Sequence, residues 1–236
     1  MRICQKDGGE NVKKVLDKGY VRLVDTMGTD VTVVNAARVS YNKAVDELRE
    51  HDERLISFLA REGHTSPFRH ATMQFEIYAP LMVARQWWKY VVGSDHVMDA
   101  WNESSRRYIT EEAEFYIPAL DEWRSAPESS KQGSGEIVNR HIGSLYTKEL
   151  EILISHGEML YEQALNDGIC AEQARLFLPA YGMYVRWYWT SSLQGVAHFL
   201  QQRLEHDAQK EIQEYAKAVC ELSTEKFPVS LTALRG

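Results

Sequence analysis

The densest set of residues that could do chemistry lies between positions 85 and 108. It comprises Arg85-Gln86-Trp87-Trp88-Lys89 and then Trp101-Asn102-Glu103-Ser104-Ser105-Arg106-Arg107-Tyr108. Adjacent arginines beside hydroxyl and carboxylate groups can hold a phosphate through charge-assisted hydrogen bonds and can orient the edge of a uracil ring. Surface salt-bridge clusters have a similar composition, so this segment alone is compatible with either interpretation.

Two other clusters carry histidine and arginine. A tight turn is predicted for Gly63-His64-Thr65-Ser66-Pro67-Phe68-Arg69-His70, and a helix for His198 to Arg203. Arg203 lies five positions after His198, so the two side chains project in different directions and need not serve one ligand atom. Arg175 lies inside an apolar run, where we expect it to be buried against an anion or a carboxylate.

Periodicity indicates the elements that position these clusters in the first half of the chain. Short strands are predicted at 21–24 and 31–34, around a turn at 28–30. An amphipathic helix ends near Gly63, which has the role of a C-terminal cap. Alternation of Met73, Phe75 and Ile77 with polar residues predicts a half-buried strand, and Pro80 is expected to open a helix.

Longer helices dominate the second half. A polar loop at 124–136 precedes helical segments predicted at 137–167 and at about 194–227. Strands and helices neither alternate strictly nor separate fully. The sequence therefore predicts an α+β fold with a small, mostly antiparallel sheet and several long helices.

Composition narrows the class of protein. The 236 residues carry a net charge of −7, which argues against a protein that coats nucleic acid. No run of about 18 apolar residues is present, so we expect no membrane partner. Three scattered cysteines without a metal-ligand spacing, and no secretory signal, predict reduced thiols in the cytoplasm and no metal site.

In this order along the chain, the clusters resemble those of the flavin-dependent thymidylate synthases. The resemblance runs from Asn35-Ala36-Ala37-Arg38-Val39-Ser40-Tyr41 to about Tyr215, through motifs at 64–70, 84–87, 114–118, 174–179 and 199–203. It implies one domain over 1–236 and a homotetramer with active sites shared between subunits. It also implies FAD as cofactor, NADPH as reductant, methylenetetrahydrofolate as carbon donor and dUMP as substrate. Reduced flavin would supply the hydride, and the protein would contribute positioning and electrostatics.

The resemblance also assigns roles to individual residues. Arg203 matches the catalytic arginine that polarises the uracil ring, where a fixed cation stabilises developing negative charge. The implied dUMP contacts are Gln86, Lys89, Glu103, Ser104, Ser105, Arg106, Arg107, Arg175 and Arg203. The implied flavin contacts are Ser66, His64, Lys89, His96, Asn102, Glu103, Ser192 and His198, with His64 also close to the folate.

One departure from the family pattern leaves two alignments open. The family signature has Arg-His-Arg followed seven residues later by Ser, whereas this chain reads Lys89-Tyr90-Val91 and contains an insertion. A late insertion makes Lys89 and Tyr90 the replacements, and an early one aligns Asp95-His96-Val97 with the triplet. The late alignment is preferred, because the helix opened by Pro80 then continues unbroken through Lys89.

The altered triplet motivates two alternative functions. The chain could be a related flavin and folate enzyme that acts on another pyrimidine nucleotide, or transfers a hydroxymethyl group. It could instead be a nucleotide-binding regulator that has lost catalysis. Product mass distinguishes the first alternative from a thymidylate synthase, and a bound flavin would count against the second.

Overall fold

The computed structural model describes residues 11–92, 100–103, 112–128 and 133–236. The strands are β1 (Val12–Val15), β2 (Gly19–Met27), β3 (Thr72–Pro80), β4 (Ala100–Glu103) and β5 (Tyr184–Ser192). The helices are α1 (Asp30–Arg38), α2 (Glu50–Arg61), α3 (Leu81–Val92), α4 (Arg140–Asn166), α5 (Ala171–Ala174), α6 (Leu193–Arg203), α7 (Lys210–Lys226) and α8 (Pro228–Arg235). Single 3-10 turns cover Val39–Tyr41, Ser66–His70 and Arg175–Phe177.

The five strands form one sheet in the order β1-β2-β3-β5-β4, and each neighbouring pair is antiparallel. The α+β prediction with a small antiparallel sheet is therefore confirmed. The longest pairing joins β3 to β5, from Thr72 opposite Ser192 to Pro80 opposite Tyr184. At the edge, β4 places Asn102 opposite Tyr188 on the neighbouring strand.

One face of the sheet forms the core. Met73, Phe75 and Ile77 are buried on β3, as the alternation in the sequence predicted. Helices α6 and α7 pack on this side, and Trp87 of α3 stacks on Phe199 of α6 with ring centroids 4.3 Å apart. This contact fixes α3 against α6, so the polar residues of the two helices are held close together.

Two predicted elements are wrong, for different reasons. Residues 31–34 form part of α1 and not a strand: β-branched residues favour strands, but a capping box between Thr29 and Thr32 begins a helix here. The helix predicted over 194–227 is two helices, α6 and α7. The side chain of Gln213 donates to the carbonyl oxygens of Glu205 and Ala208 in the break. The apolar period continues across the break because both helices pack on the same core.

Other local signals are confirmed. Gly63 follows α2 with a φ of +70°, the left-handed conformation of a C-terminal cap. Pro80 ends β3 and immediately precedes α3. The helix predicted over 137–167 is α4, and the polar residues 124–128 and 133–136 lie outside helices and strands. Within the described ranges, every helix is too short or too polar to cross a membrane.

Candidate active site

Helix α6 connects the sheet to the site. Ser192 ends β5 and caps α6, its hydroxyl accepting a hydrogen bond from the amide of Gly195 at 3.1 Å. The amide of Leu193 donates to the carbonyl of Ala71, which follows the 3-10 turn containing Ser66. The start of α6 and that turn are therefore adjacent. Buried Ser192 stabilises the helix start, a structural role that the sequence had not indicated.

Arg203 is the last residue of α6 and faces α3. Its Nη1 lies 3.4 Å from Oε1 of Gln86, and its guanidinium carbon lies 5.2 Å from the ring centroid of Tyr90. Its Nε is buried and has no hydrogen-bond partner in the part of the chain that the structure describes. Buried donors are normally satisfied. The free Nε–H is thus a group that a ligand could accept from.

Tyr90 contacts His198 and Arg203, the two candidate site residues of α6. Its ring lies 5.7 Å from that of His198 and 5.2 Å from that of Phe199, both edge to face. His198 and Arg203 were expected to project in different directions, yet both side chains contact Tyr90. Burial raises the pKa of Tyr90, and the charge of Arg203 acts against that rise. The phenol therefore remains protonated at neutral pH and can donate a hydrogen bond.

Behind Gln86, a chain of side-chain hydrogen bonds runs into the protein. The amide of Gln86 donates to Oε1 of Gln209, and the amide of Gln209 donates to Oε2 of Glu211 at 2.8 Å. Glu211 is also paired with Arg124. No role was predicted for Gln209, Glu211 or Arg124 from the sequence. These residues are far apart along the chain from Gln86, so periodicity carries no signal of the contact.

The other predicted flavin contacts lie on the surface. His64 and Ser66 are exposed between α2 and β3, Lys89 is exposed on α3, and Asn102 is exposed on the edge strand. Helix α3 runs unbroken through Lys89, which agrees with the premise of the late-insertion alignment. Ser104, Ser105, Arg106, Arg107 and His96 lie outside the described residues.

Arg175 is exposed, so the prediction that it is buried is wrong. It opens the 3-10 turn Arg175–Phe177, and its neighbours Leu176 and Phe177 are 80% and 49% exposed. Leu176 and Phe177 therefore face outward, whereas Ala174 and Leu178 on either side of the turn are buried. Such outward-facing apolar residues are typical of a surface that another molecule covers.

A cavity of about 700 Å³ adjoins the far end of the hydrogen-bonded chain. Tyr116, Trp123 and Tyr181 line it together with Gln209 and Glu211. The described part of the lining includes none of the predicted site residues. The cavity therefore borders the candidate site and is separate from Arg203.

Comparison with known proteins identifies the family. The model of the family described as thymidylate synthase complementing protein matches residues 22–229. The chain belongs to this family. The predicted family of flavin-dependent thymidylate synthases is thereby confirmed.

Relatives and solved structures agree with this membership. The flavin-dependent thymidylate synthase of Thermosipho africanus is 37% identical, with 93% of this chain and 92% of that protein covered. That of Thermotoga neapolitana is 38% identical, with 91% and 89% covered. Among solved structures, the UMP/dUMP methylase PolB from Streptomyces cacaoi bound with 5-Br UMP superposes with a TM-score of 0.79 and is 26% identical. That match covers 93% of this chain and 95% of PolB.

Proposed function

We propose that this family member converts dUMP to dTMP, with FAD as cofactor, methylenetetrahydrofolate as carbon donor and NADPH as reductant. The observation that carries the proposal is Arg203, held between Gln86 and Tyr90 with a buried, unpartnered Nε–H among the described residues. Arginine remains charged at any physiological pH. It can therefore stabilise the negative charge that develops on a uracil ring when N3 loses its proton.

The polar residues around α6 suit a flavin dinucleotide. Hydroxyl, imidazole, ammonium and amide groups are the donors that a pyrophosphate and a ring edge require. FAD, when bound and reduced, supplies the hydride. The residues that would hold it are Ser66, His64, Lys89, Asn102, Glu103, Ser192 and His198, together with His96 if the insertion is early. Ser192 would do so through its hydroxyl hydrogen, because its oxygen already caps α6.

The nucleotide would contact residues of α3, α6 and β4. Gln86, Lys89, Glu103, Arg175 and Arg203 are proposed contacts, together with Ser104, Ser105, Arg106 and Arg107. Exposed Arg175 reaches a nucleotide most simply from a neighbouring subunit. Its position beside exposed Leu176 and Phe177 supports a homotetramer with shared sites.

We also propose a single catalytic domain over residues 1–236 that acts in the cytoplasm without nucleic acid or membrane partners. The family match over 22–229 supports the single domain. The net charge of −7 supports the absence of a nucleic-acid partner.

UMP is a second candidate substrate. PolB is described as a UMP/dUMP methylase, and its structures with 5-Br UMP and 5-Br dUMP superpose on this chain with TM-scores of 0.79 and 0.78. The altered family triplet gives an independent reason to test both nucleotides, whichever alignment is right.

The decisive experiment supplies the purified protein with FAD, NADPH and methylenetetrahydrofolate, and reads the product from dUMP or UMP by mass. A gain of one methyl group on dUMP alone establishes the thymidylate synthase. A gain on UMP alone, or a hydroxymethyl group, supports a related enzyme. Nucleotide binding without any product would support a regulator. A reaction without folate is the negative control.

A further inference from the structure

The series of hydrogen bonds that links Arg203, Gln86, Gln209 and Glu211 can run in one direction only, from donor to acceptor. Arg203, at one end, can only donate hydrogen bonds, and the carboxylate of Glu211, which pairs with Arg124 at the other end, can only accept them. Each intervening glutamine must therefore turn its NH2 group towards Glu211 and its carbonyl towards Arg203. The contacts Arg203 to Gln86, Gln86 to Gln209 and Gln209 to Glu211 have this polarity.

Glu211 is a suitable fixed end for such a chain. It is only 6% exposed, and Arg124 pairs with its other oxygen. A buried carboxylate that lost a partner would carry a large desolvation cost, so both of its contacts are held firmly. Gln209 precedes α7 directly and cannot turn away without leaving Glu211 short of a donor.

We propose that Gln209 and Glu211 are positioning residues that orient the Gln86 amide and, through it, the Arg203 guanidinium towards the pyrimidine ring. The inference rests on the proposed function, because Gln86 and Arg203 meet a nucleotide only if that function is right. A reversed Gln86 amide would present its NH2 group to the Arg203 donors. The two groups would then repel each other, and Arg203 would lose its fixed position.

A simpler role would also explain the contacts, namely that Gln209 only joins α3 to α7. The two roles differ in how mutations combine. If Gln209 acts through Gln86, its removal matters little once Gln86 is gone. If it only joins helices, its effect on catalysis is the same in both backgrounds.

The test is a double-mutant cycle with Gln209→Met and Gln86→Met, since methionine keeps the length and removes the hydrogen bonds. With the FAD-loaded enzyme, Gln209→Met alone is expected to lower kcat/KM for dUMP by roughly 10- to 100-fold, the size of a small misplacement of a reacting group. Most of the loss is expected in kcat, with the KM for folate unchanged. In the Gln86→Met background, the further loss should be less than about threefold.

Matched control variants distinguish the loss of these hydrogen bonds from general damage to the protein. Gln202→Met changes the exposed glutamine beside Arg203 and should leave kcat within about twofold. Glu211→Gln removes the acceptor-only end and should lower kcat as Gln209→Met does. Glu214→Gln is the same change on the surface of α7, where Glu214 pairs only with Lys217 among the described residues, and should have no such effect.

The outcomes separate this inference from the proposed function. If the wild type forms product, the proposed function stands. If Gln209→Met then lowers kcat/KM equally in the wild-type and Gln86→Met backgrounds, the positioning role is overturned. If the wild type makes no product, the function fails, and the same cycle is measured on dUMP affinity by calorimetry. Coupling in affinity then supports positioning. An unchanged affinity in Gln209→Met, or no nucleotide binding at all, overturns it.

Discussion

The sheet with α3, α6 and α7 buries its large side chains within this chain, whereas α4 leaves apolar side chains exposed. Trp87, Trp187, Trp189 and Phe199 are fully or almost fully buried in the first region. Around α4, the buried cluster is small, and its buried members are Phe115, Ile154 and Leu178. The first region, which carries Gln86 and Arg203, forms its core within this chain, whereas the exposed side chains of the second region would be covered in the proposed homotetramer.

The exposed side chains of α4 form a continuous face. Ile142, Leu145, Tyr146 and Leu153 follow helical spacing, and each is 45% to 55% exposed. The buried residues Gly143, Thr147, Ile154 and Gly157 lie on a different face of the same helix. A helix with two apolar faces is typical of one that packs on its own subunit and on another. This supports the proposed homotetramer.

The largest effect is expected from Trp87→Ala. Removing this buried indole leaves a cavity beneath α3 and should lower the free energy of unfolding by about 3–5 kcal/mol. Trp88 is the matched control, because it is the next residue of α3 and is 47% exposed. Thermal unfolding of both variants checks the contrast. Equal losses from Trp87→Ala and Trp88→Ala would mean that the core region is not complete within the chain.

Arg203→Ala should lower catalysis without changing the stability of the core region or the assembly through α4. The side chain ends α6 without filling the core, so the fold and the assembly should remain intact. Loss of one fixed charge at a developing anion should lower kcat by about 10²- to 10³-fold. Turnover assays and light scattering on the same sample measure both properties. Wild-type-like turnover would remove Arg203 from the mechanism.

The same contrast explains what the sequence could predict. Burial on one face of β3 leaves a period of two, so the strand through Met73, Phe75 and Ile77 was predictable. The motifs marked Gln86 and Arg203 as candidates, and the structure places the two side chains 3.4 Å apart; their roles towards a nucleotide stay predictions. Burial of Arg175 was predicted wrongly, because apolar neighbours indicate a covered surface without saying whether the same chain covers it. The contact of Gln209 with Gln86 was not predicted, since the two residues lie 123 positions apart.

Leu153→Glu should disrupt the assembly and leave the core intact. A charge placed on the exposed apolar face costs desolvation when a second copy packs there, of the order of 2 kcal/mol. Light scattering should show smaller species, and activity should fall with the assembly if sites are shared. Ser155→Glu adds the same charge to a polar part of α4 and should leave the mass unchanged. A tetramer that withstands Leu153→Glu would place the interface elsewhere.

The smallest expected effect concerns the cofactor at the edge of the core region. If the insertion is late, Lys89 provides the positive charge at the first arginine position of the family triplet, and Lys89→Ala should weaken FAD retention by about tenfold. That loss corresponds to about 1.4 kcal/mol, the size of one charge-assisted hydrogen bond to a phosphate. His96→Ala should weaken retention only if the insertion is early. Flavin fluorescence after gel filtration measures the retention of FAD by both variants, and Lys43→Ala, which changes an exposed lysine outside the predicted site, is the control.

The late alignment predicts a loss for Lys89→Ala alone, because α3 continues unbroken through Lys89 and holds it one turn after Arg85. A loss for His96→Ala alone would instead assign the cofactor contact to the insertion, and would leave Lys89 as an ordinary surface residue of α3.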